Sequence, residues 1–232
     1  MCRVQGGVKM AKSAIILLSG GLDSALNLAL CKEEISLALT INYGQKAASK
    51  EINAAKELTE YYQIPHKIIE IGLLKELTSG ALLDTNEVPT ITEEQLNNDI
   101  AYQHETAAKV WVPNRNGLFI NIAASIAEAN QLDKIFVGFN AEEAQTFSDN
   151  SEAFLKAINS SLSFSTRNQV EVFSETIHMT KQIMVSKALE IGLPLDKIWS
   201  CYHGGEKPCQ TCESCMRFQR AYRSVTGVDY AY

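Results

Sequence analysis

The sequence has no surplus of positive charge: 21 lysines and arginines stand against 27 aspartates and glutamates, for a formal charge of −6. A protein that takes its main affinity from phosphate backbones needs a basic face, so this balance argues against a nucleic-acid partner while leaving room for a small anion held locally. Long apolar runs are missing as well; none approaches the roughly 20 residues of a membrane-spanning helix. The stretch Met1 to Lys12 carries charges and glycines without an apolar centre. It reads as no signal peptide and a cytoplasmic location, with Met10 a candidate natural start. Internal repeats, low-complexity tracts and a clean domain boundary are also lacking. What remains is a chain of 232 residues, 46% hydrophobic, enough to fill one α/β domain with a small appendage.

Near the start, an apolar strand-like run, Ala14 to Leu18, meets a helix-like run, Ala25 to Lys32, through Ser19-Gly20-Gly21-Leu22-Asp23-Ser24. Adjacent glycines let the main chain turn tightly and approach an anion without a side chain in the way. Ser19 and Ser24 add hydroxyls, and the helix that opens there aims unpaired N–H groups at a phosphate. The turn lacks the Gly-Lys-Ser/Thr ending of ordinary NTPases and is too short for the dinucleotide glycine pattern. It is similar to the PP-loop of ATP pyrophosphatases; the bland alternative is a glycine turn with Asp23 as a helix cap.

Strand and helix alternate through the first half: Ser36 to Asn42 reads as a strand, Ala47 to Tyr62 as a helix and Lys67 to Ile71 as a strand. Such alternation predicts a doubly wound parallel sheet of Rossmann-like α/β class. From Gly72 to Lys109 the periodicity is lost, apart from short helical pieces such as Glu93 to Asn98. A long excursion of this kind reads as a lid or an insert. Order returns with a helix over Leu118 to Asn130, a strand over Lys134 to Gly138, a helix over Glu152 to Ser161, a strand over Val170 to Phe173 and a helix over Thr180 to Ile191. The expected division is a nucleotide-binding domain over 12–198 and a cysteine-bearing subdomain over 199–232.

Cys201, Cys209, Cys212 and Cys215 form C-x7-C-x2-C-x2-C. In a reducing compartment such clusters favour metal over disulfide. Four thiolates suit tetrahedral Zn²⁺ at about 2.3 Å and leave no open position, so the site reads as structural. An iron–sulfur cluster is the rival for the same ligands, and His203 a substitute ligand. Cys31 reads as a buried small hydrophobe and Cys2 carries no signal. Tyr43-Gly44-Gln45 follows the second strand at the sheet edge where ligands bind, so Gln45 can read a base edge and Tyr43 can stack; the alternative is a turn that simply ends the strand. Val112-Pro113-Asn114-Arg115-Asn116 opens a helix, and an Arg there is unfavourable against the helix dipole unless it meets an anion, so Arg115 reads as a phosphate or carboxylate contact, with a solvated surface Arg the alternative. Lys181 and Lys187, on the late helix, can reach a phosphate, although lysines are usually solvated.

With the PP-loop, Tyr43-Gly44-Gln45, Val112-Pro113-x-Arg115-Asn116 and Ser200-Cys201-Tyr202 leading into the cysteines, the chain resembles the 7-cyano-7-deazaguanine synthase family from about Ala14 to Arg220. The resemblance implies a carbon–nitrogen ligase of queuosine biosynthesis, a homodimer, and ATP, Mg²⁺ and Zn²⁺. Ammonia and 7-carboxy-7-deazaguanine become the nitrile through adenylated intermediates. It further implies ATP contacts at Leu18, Ser19, Gly20, Gly21, Leu22, Asp23, Ser24, Ala25, Leu26, Asn27 and Leu28. Asp23, Arg115 and Lys181 become catalytic candidates. Tyr43, Gln45, Asn114, Arg115, Asn116, Asn140, Glu143 and Asp149 become substrate candidates.

One segment departs from the family pattern. Gly138 to Asn150 reads GFNAEEAQTFSDN, keeping Gly138, Asn140, Ala141 and Asp149, with Glu143 at an Asp position. The usual Tyr-Ser-Gly-Tyr-Pro stretch is replaced, leaving Phe147 and Ser148. Two further readings stay open on the sequence: a paralogue that passes the acyl group to another amine, and a zinc-ribbon nucleic-acid-binding module. The only support for the latter is Arg217, Arg220 and Arg223, whose spacing more often makes a solvated or subunit-contact helix face.

Overall fold

Strand β1 (Ala14–Leu17) lies at the centre of the sheet, and its residues are divided between two cores by the two-residue strand period. Ala14 and Ile16 face one core, Ile15 the other, and all three are fully buried. A computed structural model describes residues 12–78, 80–83 and 86–232; the readings made on Cys2, Met10 and the N-terminal stretch up to residue 11 lie outside them. The sheet contains β1, β2 (Ile35–Asn42), β3 (His66–Glu70), β4 (Lys134–Phe136) and β5 (Glu171–Phe173), all parallel, in the order β3-β2-β1-β4-β5. This is the doubly wound α/β class expected from the alternation.

Helices cover both faces. On one, α1 (Leu22–Cys31) packs with α8 (Lys181–Glu190) and α9 (Glu213–Thr226) through Leu26, Leu28, Met184, Phe218 and Ala221. Cys31 belongs to this core, as its apolar setting predicted. On the other face, α6 (Arg115–Ala129) and α7 (Glu152–Ser165) bury Ile120, Ala123, Ile158 and Leu162 against Ile135 and Val172. Helix α2 (Ala48–Tyr62) joins α1 through Ala55 and Leu58. The chain turns from β1 toward β2 on one side and pairs with β4 on the other, so the carboxyl ends of β1 and β4 flank the topological switch point, where open α/β sheets bind ligands.

The excursion after β3 is more ordered than the sequence suggested. It contains α3 (Leu73–Leu77), α4 (Glu93–Asn98) and an 11-residue helix, α5 (Ile100–Val110). The apolar period failed for α5 because half of its buried face is polar: Gln103 and Thr106 lie beside Ala107 and Val110. Asp99 caps the helix by accepting from the Tyr102 N–H at 2.9 Å. Helix α6 likewise starts at Arg115, three residues before the expected Leu118, and α7 runs four residues past Ser161.

Helix α9 and the chain just before it fasten the excursion to the rest of the fold. Arg223 pairs with Glu93 at 2.8 Å, Arg220 donates to Asn97 at 3.0 Å, and the Ile91 N–H donates to Thr211 O at 3.0 Å. Arg217, expected on a solvated or subunit-contact face, is instead buried against Glu213 at 2.6 Å and Glu142 at 2.6 Å. The i, i+3, i+6 spacing was right for a helix but could not show that Glu142, on the loop after β4, waits beside Glu213 of the same helix. Among the described residues no helix is long and apolar enough to cross a membrane.

Candidate active site

A cleft of about 250 Å³ opens at the switch point. Its floor is the turn between β1 and α1, whose shape depends on Gly20. That residue has φ +83°, and a Cβ there would lie 2.8 Å from both Ala54 Cβ and Glu51 O. Gly138, at the end of β4, lies as close on the other side: an added Cβ would meet the Ser24 nitrogen at 2.7 Å. Inside the turn, Ser19 and Ser24 hydroxyls are 3.1 Å apart, and the Gly21 N–H donates to Ser19 Oγ at 3.3 Å. Leu18, Ser19, Gly21, Leu22, Asp23 and Ser24 line the cleft. Gly20, Ala25, Leu26, Asn27 and Leu28 do not; the three apolar ones fill the core, and Asn27 donates to Thr176 at 2.7 Å.

Beside the turn lies a buried charge cluster. The Lys181 ammonium is 2.6 and 2.5 Å from the two Asp23 carboxylate oxygens and 2.6 Å from Glu143. Its side chain is 7% exposed, so this lysine is not a solvated one. Two carboxylates share one cation, and their proton affinities separate. Burial pushes the Asp23 carboxyl up to about 7, with Lys181 opposing and Glu143 adding to the rise. Glu143 is held down at about 2: burial works against its charge, but Lys181, Arg217 and a hydrogen bond from Asp23 together outweigh it. Lys181 is itself held charged, its burial overcome by the same two carboxylates.

The loop after β4 holds this cluster in register. Asn140 accepts from the Glu142 and Glu143 N–H groups at 3.1 and 2.9 Å and donates to Asp23 at 3.3 Å. Glu142 accepts from the Lys181 main-chain N–H at 3.1 Å and binds Arg217 and Arg220. Burial raises its proton affinity, but the two guanidinium groups reverse that and keep it below the usual carboxylate range.

At the other end of the cleft Arg115 stands among aromatic rings. It donates to the Tyr43 hydroxyl at 3.2 Å, its guanidinium lies 5.8 Å from the Tyr43 ring centre, and Tyr43 packs on Phe119 at 5.3 Å. Arg115 makes no carboxylate ion pair within 4.0 Å among the described residues, although Asp149 is near enough to add to its charge preference. Burial pushes the Asp149 carboxyl up, against the pull of Arg115. Asn116 lines the cleft and donates to the Asp149 carbonyl at 3.4 Å. Gln45 points away: it accepts from the Tyr43 N–H at 3.0 Å and donates to Glu51 at 2.7 Å. Asn114 caps α6 from the left-handed region, φ 51°, and like Gln45, Asn140 and Asp149 it does not line the cleft.

The four cysteines converge. Their sulfurs lie within 4.8 Å of one another, with Cys209 and Cys215 at 4.0 Å; tetrahedral ligands at about 2.3 Å from one ion would be about 3.8 Å apart. Cys201 Sγ accepts from the His203 and Cys209 N–H groups, each at 3.3 Å, and Cys209 Sγ from the Cys212 N–H at 3.3 Å. Main-chain donors aimed at sulfur suit thiolates, so the group can hold one metal ion. Val88, from the excursion, packs on the cluster.

Glu51, Phe119, Phe147, Trp199, Ser200 and Tyr202 also line the cleft but were not among the residues picked from the sequence. The motif Ser200-Cys201-Tyr202 was the one signal that pointed toward two of them. The Phe147 ring lies parallel to Trp111, 6.4 Å away.

The family described as Queuosine biosynthesis protein QueC matches residues 13–226. A 7-cyano-7-deazaguanine synthase of Pelotomaculum thermopropionicum is 51% identical over 215 residues, 91% of this chain and 97% of the relative. The protein of the same name from Carboxydothermus hydrogenoformans is 48% identical over 213 residues, 90% and 98% of the two chains. A third, from Methanosarcina mazei, is 44% identical over 217 residues, 91% and 94%.

Proposed function

The chain belongs to the queuosine biosynthesis protein QueC family, and from that membership we propose that it is an ATP-dependent carbon–nitrogen ligase converting 7-carboxy-7-deazaguanine and ammonia to 7-cyano-7-deazaguanine. The observation that carries the reading is the pairing of two sites in one cleft: a phosphate-type turn at one end, and at the other Arg115, a cation without a carboxylate ion-pair partner among the described residues.

A carboxylate resists attack by ammonia because its carbon is electron-rich. Its oxygen therefore attacks the α-phosphorus of ATP; the bond to the bridging oxygen breaks, and pyrophosphate leaves into the turn at Ser19 to Ser24. Ammonia adds to the resulting acyl adenylate and expels AMP, giving the amide after loss of a proton. A second adenylation, on the amide oxygen, is followed by loss of AMP and a proton, which leaves the nitrile. No enzyme nucleophile is required, so the protein works by positioning and by stabilising charge. Arg115 offers a bidentate fork to the substrate carboxylate, and the rings of Tyr43, Phe119 and Phe147 receive a planar base. Lys181 has its ammonium beside the turn, ready to meet charge on the leaving pyrophosphate. Asp23 would offer an oxygen to Mg²⁺ accompanying ATP, where the ion neutralises phosphate charge.

Cys201, Cys209, Cys212 and Cys215 would hold Zn²⁺; sulfurs within 4.8 Å of one another surround a single ion more readily than a multi-iron cluster. The functional division is then a nucleotide domain over 12–198 and a zinc-bearing tail over 199–232. A homodimer and a cytoplasmic location are the family's implications. Mass spectrometry tests the reading: ATP, ammonium and 7-carboxy-7-deazaguanine should yield AMP, pyrophosphate and the nitrile. Adenylation that ends in a conjugate with a competing amine, and no nitrile, would overturn it.

A further inference from the structure

The hydroxyl of Ser200 sits against the glycine turn although it comes from the far end of the chain. It accepts from the Leu22 N–H at 3.3 Å, across a separation of 178 residues. A Cβ built on Gly21 would lie 3.5 Å from Ser19 Oγ and 3.7 Å from Ser200 Oγ, so the two hydroxyls flank the same glycine. Their engagement differs. Ser19 and Ser24 hydroxyls are bonded to each other and to the turn's own main chain. Ser200 accepts one hydrogen bond, lines the cleft, and its O–H proton has no acceptor among the described residues.

Ser200 is fixed from both sides. The Trp199 N–H donates to Gly20 O at 2.8 Å, and Cys201 is one of the four clustered thiols. The hydroxyl therefore has little freedom to leave the turn, and a donor held in place costs little ordering when it meets its ligand.

We propose that Ser200 is a third hydroxyl of the phosphate site, donating its proton to a phosphate oxygen of ATP and of the leaving pyrophosphate while it accepts from Leu22. The metal-binding tail thereby supplies a ligand-contacting group to the nucleotide site, beyond holding the fold together. This rests on the reading that the turn at Ser19 to Ser24 holds the triphosphate.

Ser200→Ala tests it in the full-length, metal-loaded protein, with pyrophosphate release as the assay. Loss of one hydrogen bond to a charged group corresponds to about 10- to 100-fold, expected in KM for ATP and in the affinity for inorganic pyrophosphate. KM values for ammonium and the carboxylate substrate, metal content and melting temperature should stay as in the wild type. Ser200→Gly, which removes the hydroxyl with a different backbone preference, should show the same ATP-specific loss and decides the matter if the alanine variant does not fold. Ser200→Thr, which keeps the hydroxyl, should restore ATP affinity. Wild-type ATP and pyrophosphate affinity in the alanine or glycine variant would overturn the proposal; so would a rise of all three KM values together with metal loss. A wild-type protein that releases no pyrophosphate would instead remove the underlying ATP reading, a different result from a variant that matches an active wild type.

Discussion

Replacing Asp23 by Asn is expected to strengthen the fold at alkaline pH relative to the wild type while stopping the chemistry. The Asp23 carboxyl stands at about 7 instead of 3.8 because burial disfavours its charge. Across that interval the folded protein holds a proton that the unfolded chain has released, so stability falls as pH rises. A tenfold difference in proton affinity is ~1.4 kcal/mol, and integration between about pH 5 and about pH 8 gives a loss of ~2 to 3 kcal/mol from this group. Asn has the shape of the protonated acid and no charge at any pH, and Lys181 keeps Glu143 as a partner at 2.6 Å. Glu143 acts in the opposite sense but in another window: held at about 2 against 4.5, its contribution is present above about pH 4.5 and is lost as pH falls toward 2. For a chain of this size the Asp23 effect amounts to ~5 to 10 °C in melting temperature. Thermal melts of both proteins at about pH 5 and about pH 8 should show the difference moving in favour of the variant by that amount. Pyrophosphate release should drop to background, since Asn cannot supply the negative oxygen that ATP with its Mg²⁺ would use. A difference that does not change with pH would refute the raised carboxyl, and retained turnover would remove Asp23 from the site.

Cys212→Ser should lower bound metal, read by elemental mass spectrometry, and melting temperature before it alters the chemistry, because Val88 and the Thr211 carbonyl dock the excursion beside the cluster. Folded protein that contains no zinc would defeat that assignment. Arg115→Ala should raise KM for the carboxylate substrate by about 10- to 100-fold and leave KM for ATP much less affected; steady-state kinetics with each substrate varied separates the two. Gly138→Ala places a Cβ 2.7 Å from the Ser24 nitrogen and 2.9 Å from the Asp23 carbonyl carbon. The resulting displacement of the turn should cost about 100-fold in pyrophosphate release with circular dichroism unchanged, and near-normal release would show that the turn tolerates the shift.

Much of this protein was legible in its sequence because the relevant physics is local. Alternating apolar runs fix strand and helix within a few residues, so the parallel sheet could be anticipated from the segments on either side of the excursion. The glycine turn was legible for the same reason: Gly20 with φ +83° serves a backbone shape that one residue type adopts easily. The cysteine spacing announced a four-sulfur site without tertiary information. Helix α5 was missed where local rules fail, since Gln103 and Thr106 are buried only because Arg217 and Glu213 meet them from α9.

Tertiary structure alone decided which charges are paired and which face the cleft. Lys181 reads on its own as an ordinary solvated lysine, and its burial between Asp23 and Glu143 depends on groups 158 and 38 positions away along the chain. Gln45 and Asn140, chosen as substrate contacts, turned out to brace Glu51 and Asp23, while Ser200, not picked as a site residue, reaches the turn. Side-chain type sets what a residue can bind; the strand order, which brings β1 and β4 together and folds the tail across their ends, sets what it meets. The sequence thus determined the sheet, the turn and the four-cysteine group, and the tertiary fold determined the electrostatics of the cleft, because Coulomb and hydrogen-bond terms act through space over a few ångströms and take no account of separation along the chain.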